Sequence, residues 1–116
     1  MHAPTPSTPE EIKVALAHLP GWDVVERAPS GSDHSHTELH RLFEFSSFAD
    51  AMHFMVTAAR FIHVTDHHPL WQNVYSKVEV WITTGELHHK LSAKDITLAH
   101  YLQGLFQQYQ SATAGA

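Results

Sequence analysis

Twelve of the 116 residues are histidine, and three of these fall in the segment His63-Val64-Thr65-Asp66-His67-His68-Pro69-Leu70-Trp71-Gln72-Asn73-Val74-Tyr75. Imidazole titrates near neutral pH, so several converging on one pocket suit general acid/base work. His63 and His67 are four apart and share a face if a helix persists that far. His67 and His68 are adjacent and diverge at the helix C-terminus, where the dipole favours imidazolium. The same pair also reads as a dipole-stabilised cap and nothing more. Imidazoles at i and i+4 can bind zinc, and His88 or His89 would complete a set with His63 and His67. Asp66 is the one carboxylate beside these residues, and the reading adopted has no metal. His34, His36 and His40 lie in or beside a polar loop and are expected at the surface.

These side chains need a scaffold, and the chain supplies clear start and stop signals for one. Residues 1–7 read as a mobile tail rich in Pro, Ser and Thr. Thr8-Pro9-Glu10-Glu11 then forms a capping box, and Ile12, Ala15, Leu16 and Leu19 follow at helical spacing until Pro20-Gly21. Trp22 to Arg27 reads as a short strand, and residues 28–36 as a polar hairpin loop. Thr37 to Phe45 alternates, with Leu39, Phe43 and Phe45 on one face and Glu38, His40 and Glu44 on the other. Ser47 with Asp50 opens a second helix, whose Phe48, Met52, Met55, Ala59 and Ile62 form a stripe; it ends near Pro69. Trp71 to Tyr75 and Lys77 to Thr84 form a hairpin with Val78, Val80 and Ile82 inward. Ser92 with Asp95 opens the last helix, although that pairing also fits a carboxylate that faces a pocket.

The order is α-β-β-α-β-β-α. Short adjacent strands favour antiparallel pairing, which predicts an α+β fold: a four-stranded antiparallel sheet with three helices on one face. One domain spans residues 8–110, and residues 111–116 are expected to trail off as a flexible tail. The last helix is apolar on two sides, with Leu98, Tyr101, Leu102, Leu105 and Tyr109 on one stripe and Ile96, Ala99 and Phe106 beside it. A surface helix of a monomer needs one stripe, so the excess predicts helix-mediated oligomerisation through Leu102 and Leu105.

Composition removes other function classes. Seven Lys and Arg against twelve Asp and Glu give a formal net charge of −5, and without a basic cluster direct nucleic-acid binding is not expected. Zero cysteines exclude a disulfide scaffold, a thiol nucleophile and thiolate metal sites. No apolar run approaches the roughly 20 residues that span a bilayer, and the first residues lack the basic and apolar regions of a signal peptide. A cytoplasmic domain is the expectation.

The motif His63-x-x-x-His67-His68-Pro69, with Trp71, Asn73-Val74-Tyr75 and Lys77-Val78, resembles the signature of the pterin-4a-carbinolamine dehydratase family. Leu19-Pro20-Gly21-Trp22, Phe43-x-Phe45-x-x-Phe48-x-x-Ala51-x-x-Phe54 and Leu91-Ser92-x-x-Asp95-x-x-Leu98-Ala99 extend the resemblance over residues 10–106. It implies dehydration of 4a-hydroxytetrahydropterin to quinonoid dihydropterin in tetrahydrobiopterin recycling, without metal or cofactor. It also implies homodimers through the sheet and homotetramers through the helices. His67 takes an acid/base role, His68 lies against the pterin, and Asp95 closes the catalytic set. His63, Trp71, Thr83 and Thr84 are the substrate-binding residues so implied.

One position departs from the family pattern. A third catalytic histidine commonly follows the threonine that ends the fourth strand, and here that residue is Gly85. The segment from Gly85 to Asp95 is also one residue longer and carries His88-His89 where the family has a small Gly-containing turn. Three outcomes are open: His88 or His89 substitutes for the missing group, the enzyme is slow, or the fold serves another purpose. That last alternative is a weak or inactive family member acting as a dimerising protein partner, because a vertebrate member is also a dimerisation cofactor for a homeodomain transcription factor.

Overall fold

The computed structural model describes residues 4–29, 31 and 35–114. Its elements are α1 (Pro9–Ala17), β1 (Asp23–Arg27), β2 (His36–Glu44), α2 (Phe48–Thr65), β3 (Leu70–Val74), β4 (Lys77–Ile82), a single 3-10 turn (Gly85–Leu87) and α3 (Ala93–Ala114). All strand pairs are antiparallel, in the order β1-β2-β4-β3. This is the α+β architecture expected. The capping box is formed: Thr8 N–H donates to Glu11 Oε1 at 2.8 Å, and Glu11 N–H to Thr8 Oγ1 at 3.1 Å.

The core lies between the helices and one face of the sheet. Leu39 and Phe43 of β2 sit opposite Ile82 and Val78 of β4, and all four are buried, as is Val80. The opposite sheet face is open and leaves Leu42, Leu70 and Val74 exposed. Gly21 turns the chain between α1 and β1 with φ +85, where the Arg41 guanidinium lies against it and donates to Pro20 O.

Four features differ from the sequence-based expectations. The inward stripe of α2 is Ala51, Phe54, Ala58 and Ile62, not the one containing Phe48, which is 48% exposed. Four of the five expected stripe residues are larger than alanine, whereas the observed stripe alternates Ala51 and Ala58 with Phe54 and Ile62, and its alanines let the helix backbone approach the sheet closely. Helix α3 buries both of its apolar sides within one chain: Leu98, Ala99, Leu102, Leu105 and Phe106 all belong to the core. Leu102 and Leu105 are therefore no subunit interface, because the helix is covered by the sheet and by α2 together. The backbone of α3 also continues to Ala114, into the segment expected to trail off. At the other end, residues 1–3 lie outside the described residues, but Pro6 bridges Ser92 and Ser7 N–H donates to Leu91 O at 2.8 Å, so part of the expected tail is tied to the domain.

Candidate active site

Helix α2 stops earlier than Pro69 requires. Asp66 takes a left-handed conformation, φ 53 and ψ 38, and turns the chain out of the helix. His63 is thereby left on the helix and exposed, while His67 passes beyond it and is buried. The shared i, i+4 face needed by the zinc reading does not form. Among the described residues, no three His, Asp or Glu side chains converge as a metal ion would need.

His67 reaches the start of α3 instead. Its Nε2 lies 2.6 Å from Asp95 Oδ1, with Asp95 fully buried. The other carboxylate oxygen accepts from Thr84 Oγ1 at 2.7 Å and from Ser92 N–H at 2.8 Å. Because the Thr84 hydroxyl donates to Asp95, the Ser92 hydroxyl 2.7 Å away must donate to Thr84. A buried carboxylate is tolerable when its lone pairs are filled this way. Asp95 thus both caps α3 and faces His67. With Nε2–H given to Asp95, Nδ1 is the ring nitrogen that Asp95 does not engage. Thr84, expected at the pocket border, lies fully buried beneath it and serves Asp95.

The 67–68 segment divides three cavities. His68 is exposed and lines an open groove of about 430 Å³ with Arg27, His36, Glu38, Trp81, Thr83, Gly85 and His89. It also borders a smaller cavity of about 190 Å³ with His63, Pro69 and Trp71. His67 opens on a third, of about 240 Å³, with Phe61, Thr65, Lys94 and Thr97. His68, Thr83, Gly85 and His89 therefore share one groove, His63 and Trp71 adjoin it, and His67 stands on the other side of its own neighbour. Thr83 Oγ1 donates to Thr37 O at 2.8 Å, which ties the groove floor to β2.

The turn after β4 settles where the extra histidines go. His88 and His89 have φ of 54 and 63. Two consecutive non-glycine residues in the left-handed region cost about 1 kcal/mol each, and such strain clusters at functional positions. Backbone bonds hold the turn: His89 N–H donates to Thr84 O at 3.1 Å, and Thr37 N–H to His89 O at 2.9 Å. His88 is exposed. His89 folds back so that its Cε1 would lie 3.7 Å from a Cβ at Gly85, whose own φ is outside the left-handed range. Burial first, then the positive neighbours His36, His88 and Arg27, push His89 below its ordinary value against the pull of Glu38.

Arg27, His36 and Glu38 are groove residues that sequence reasoning did not find. Glu38 lies 2% exposed and binds Arg27 Nε and Nη2 at 2.7 and 3.0 Å. Its alternation correctly placed it away from the core, but no local signal said that this position would be covered by an arginine from β1. His36 and His40 are half-buried, not fully exposed. His36 stacks on His89, and His40 bridges Asp23 at 3.0 Å and Glu79 at 2.7 Å; His34 lies outside the described residues.

Comparison with known proteins places the chain in a family. The model of the family described as pterin 4 alpha carbinolamine dehydratase matches residues 5–105. A protein of Opitutus terrae provisionally named pterin-4-alpha-carbinolamine dehydratase is 38% identical over 83% of this chain and 89% of its own length. One of Rhodopseudomonas palustris with the same provisional name is 36% identical over 87% of this chain and 91% of its own. The crystal structure of a transcriptional coactivator/pterin dehydratase from Brucella melitensis superposes with a TM-score of 0.72 at 30% identity, covering 87% of this chain and 98% of that one. With the fold and nearly the whole length matched, this chain belongs to the pterin-4a-carbinolamine dehydratase family.

Proposed function

We propose that this protein dehydrates 4a-hydroxytetrahydropterin to quinonoid dihydropterin by histidine general acid/base catalysis. The observation that carries this reading is the buried 2.6 Å contact between His67 and Asp95, at the root of a segment whose next residue, His68, faces the groove. In the reaction the C4a–O bond breaks and the hydroxyl leaves as water after receiving a proton. A ring nitrogen loses its proton, and the electron pair of that N–H bond becomes the new C=N bond. Imidazoles suit both transfers near neutral pH. Asp95 orients His67, His68 lies against the pterin, and His89 provides the imidazole that Gly85 does not. His63, Trp71 and Thr83 border the bound substrate, and Thr84 acts through Asp95.

A hydroxylase-coupled or stopped-flow assay of 4a-hydroxytetrahydropterin breakdown tests the reading. Acceleration at micromolar protein is expected, and a rate equal to the spontaneous one overturns it. The second reading, a protein partner, is favoured by one observation, the coactivator half of the Brucella relative's name. An inactive but stably folded chain would favour it.

The protein acts as a homo-oligomer in this reading. Support comes from the apolar side chains left exposed in one chain, Phe48, Val56 and Val64 on α2 and Leu42, Leu70 and Val74 on the sheet. Light scattering of the wild type above the 13.1 kDa of one chain is the expected result.

A further inference from the structure

One wall of the groove has no task in the dehydratase reading. His36, at the start of β2, lies flat on His89, with ring centroids 3.6 Å and planes 15° apart. Behind it, a Glu38 oxygen stands 3.7 Å from His36 Nδ1. Glu38 in turn holds the Arg27 fork, and the Arg27 guanidinium lies over the Trp81 ring at 5.8 Å. Three strands thus contribute to one continuous support, from Trp81 through Arg27, Glu38 and His36, and it ends on the ring of His89.

That support answers a physical need. A side chain on a strained turn lacks the neighbours that fix a rotamer on a strand or helix, and misplaced proton-transfer groups are poor catalysts. Left-handed conformation is what aims His89 back at Gly85, and a glycine would adopt it more easily. The histidine kept there at a cost is gripped by its ring, since its Nδ1 is buried without a hydrogen-bond partner.

We propose that His36 is a positioning residue that holds the His89 imidazole at the groove, and that the Arg27–Glu38 pair fixes His36 in turn. The proposal rests on the dehydratase reading for its kinetic consequence, but not for its structural one. The groups facing His89 are His36 and Glu38 from β2, Arg27 from β1, His88 from its own turn and His68 across the groove. Burial first, and then the positive neighbours among these, push His89 below its ordinary value and favour its neutral form.

His36→Phe and His36→Ala test this, read by kcat against pH and by NMR titration of the His89 ring proton on Cε1. That resonance is assigned by its loss in His89→Gln. In the wild type it should lie upfield, from the stacked ring, and titrate below 6.5. His36→Phe keeps the ring and removes a charge, so the upfield position stays, the titration moves up and the acid limb of the rate profile follows it. His36→Ala loses the upfield position and lowers kcat about tenfold with little change in KM, less than the roughly 10²-fold expected for removing a proton-transfer group, because the imidazole is misplaced and not lost. If the alanine variant does not fold, His36→Leu fills the space without a ring and replaces it. An unchanged His89 resonance in the ringless variant overturns the proposal, as does a phenylalanine variant as slow as the ringless one. A wild type without dehydratase activity defeats the functional reading instead, and the NMR arm still decides whether His36 holds His89.

Discussion

His67 gives its Nε2–H to a fully buried carboxylate, whereas His89 lies against a second imidazole with one nitrogen buried and unpaired. The first arrangement fixes the ring through a directional, charge-assisted bond. The second fixes it through a flat contact and places positive neighbours around it, which disfavour protonation. One side chain type thus meets two settings: hydrogen bonding sets ring orientation at His67, while burial and then its charged neighbours push His89 below its ordinary value.

The most disruptive way to break this comparison is at Asp95. Asp95→Ala strands the Thr84 hydroxyl, the Ser92 N–H and His67 Nε2 in a buried site. Removing one member of such a buried set costs about 3 kcal/mol. A corresponding fall in the urea midpoint is expected, with dehydratase activity lost alongside. His36→Phe, at the other histidine, should leave the midpoint nearly unchanged. Equal loss of stability in both variants would mean that the two sites do not differ in the way described.

The same contrast explains what could be read in advance. Fold class and the hairpin pairings follow from short-range patterns, capping boxes and alternation, whereas the His67–His68–Asp95 set was named through the family resemblance carried by its motif. Asp95 was legible because a helix-opening carboxylate three residues after Ser92 has a local signature. The His89 side of the groove depends on long-range register, Arg27 opposite His36 across β1 and β2, and on a turn whose backbone no periodicity describes. The stripe of α2 was misplaced for a related reason, since an apolar helix with several candidate faces is oriented by its neighbours and not by its own pattern.

Next in size is the loss of the acid/base group. His67→Ala and His89→Ala should each lower kcat on the order of 10²-fold, the low end of the range for one proton-transfer group. Gly85→His sharpens the contrast. A side chain at Gly85 meets only His89 at ordinary van der Waals distance, and the residue has no left-handed strain. In the His89→Ala background Gly85→His should therefore recover most of the lost rate, while in the wild type it should add little. Full activity of His89→Ala alone would remove His89 from the chemistry.

The open sheet and α2 offer a milder perturbation. Val56 is 71% exposed on α2, while Leu102 is fully buried in the core. If the proposed assembly forms through α2, Val56→Lys should lower the mass found by light scattering without lowering the melting temperature of the monomer, because the exposed position carries no packing within one chain. Leu102→Lys should unfold the chain. A Val56→Lys variant that keeps its assembly would move the interface to the sheet.

The smallest effect separates two histidines by the sign of their pH dependence. For His40, burial opposes the charged form, but the hydrogen bonds its ring donates to Glu79 and Asp23 outweigh it and raise the value above 6.5. Its stabilising contribution is complete below 6.5 and is lost as pH rises through the raised folded value. His89 shifts the other way, so its neutral form is favoured in the fold. There the contribution is complete above 6.5 and is lost as pH falls through the lowered folded value. Urea midpoints of wild type, His40→Gln and His89→Gln across pH 5 to 8 read the two signs. The difference between wild type and His40→Gln should shrink as the solution becomes alkaline, and that between wild type and His89→Gln as it becomes acidic. Parallel curves for both variants would show that carboxylate contact and imidazole stacking treat the proton alike, and the distinction between the two settings would then reduce to geometry.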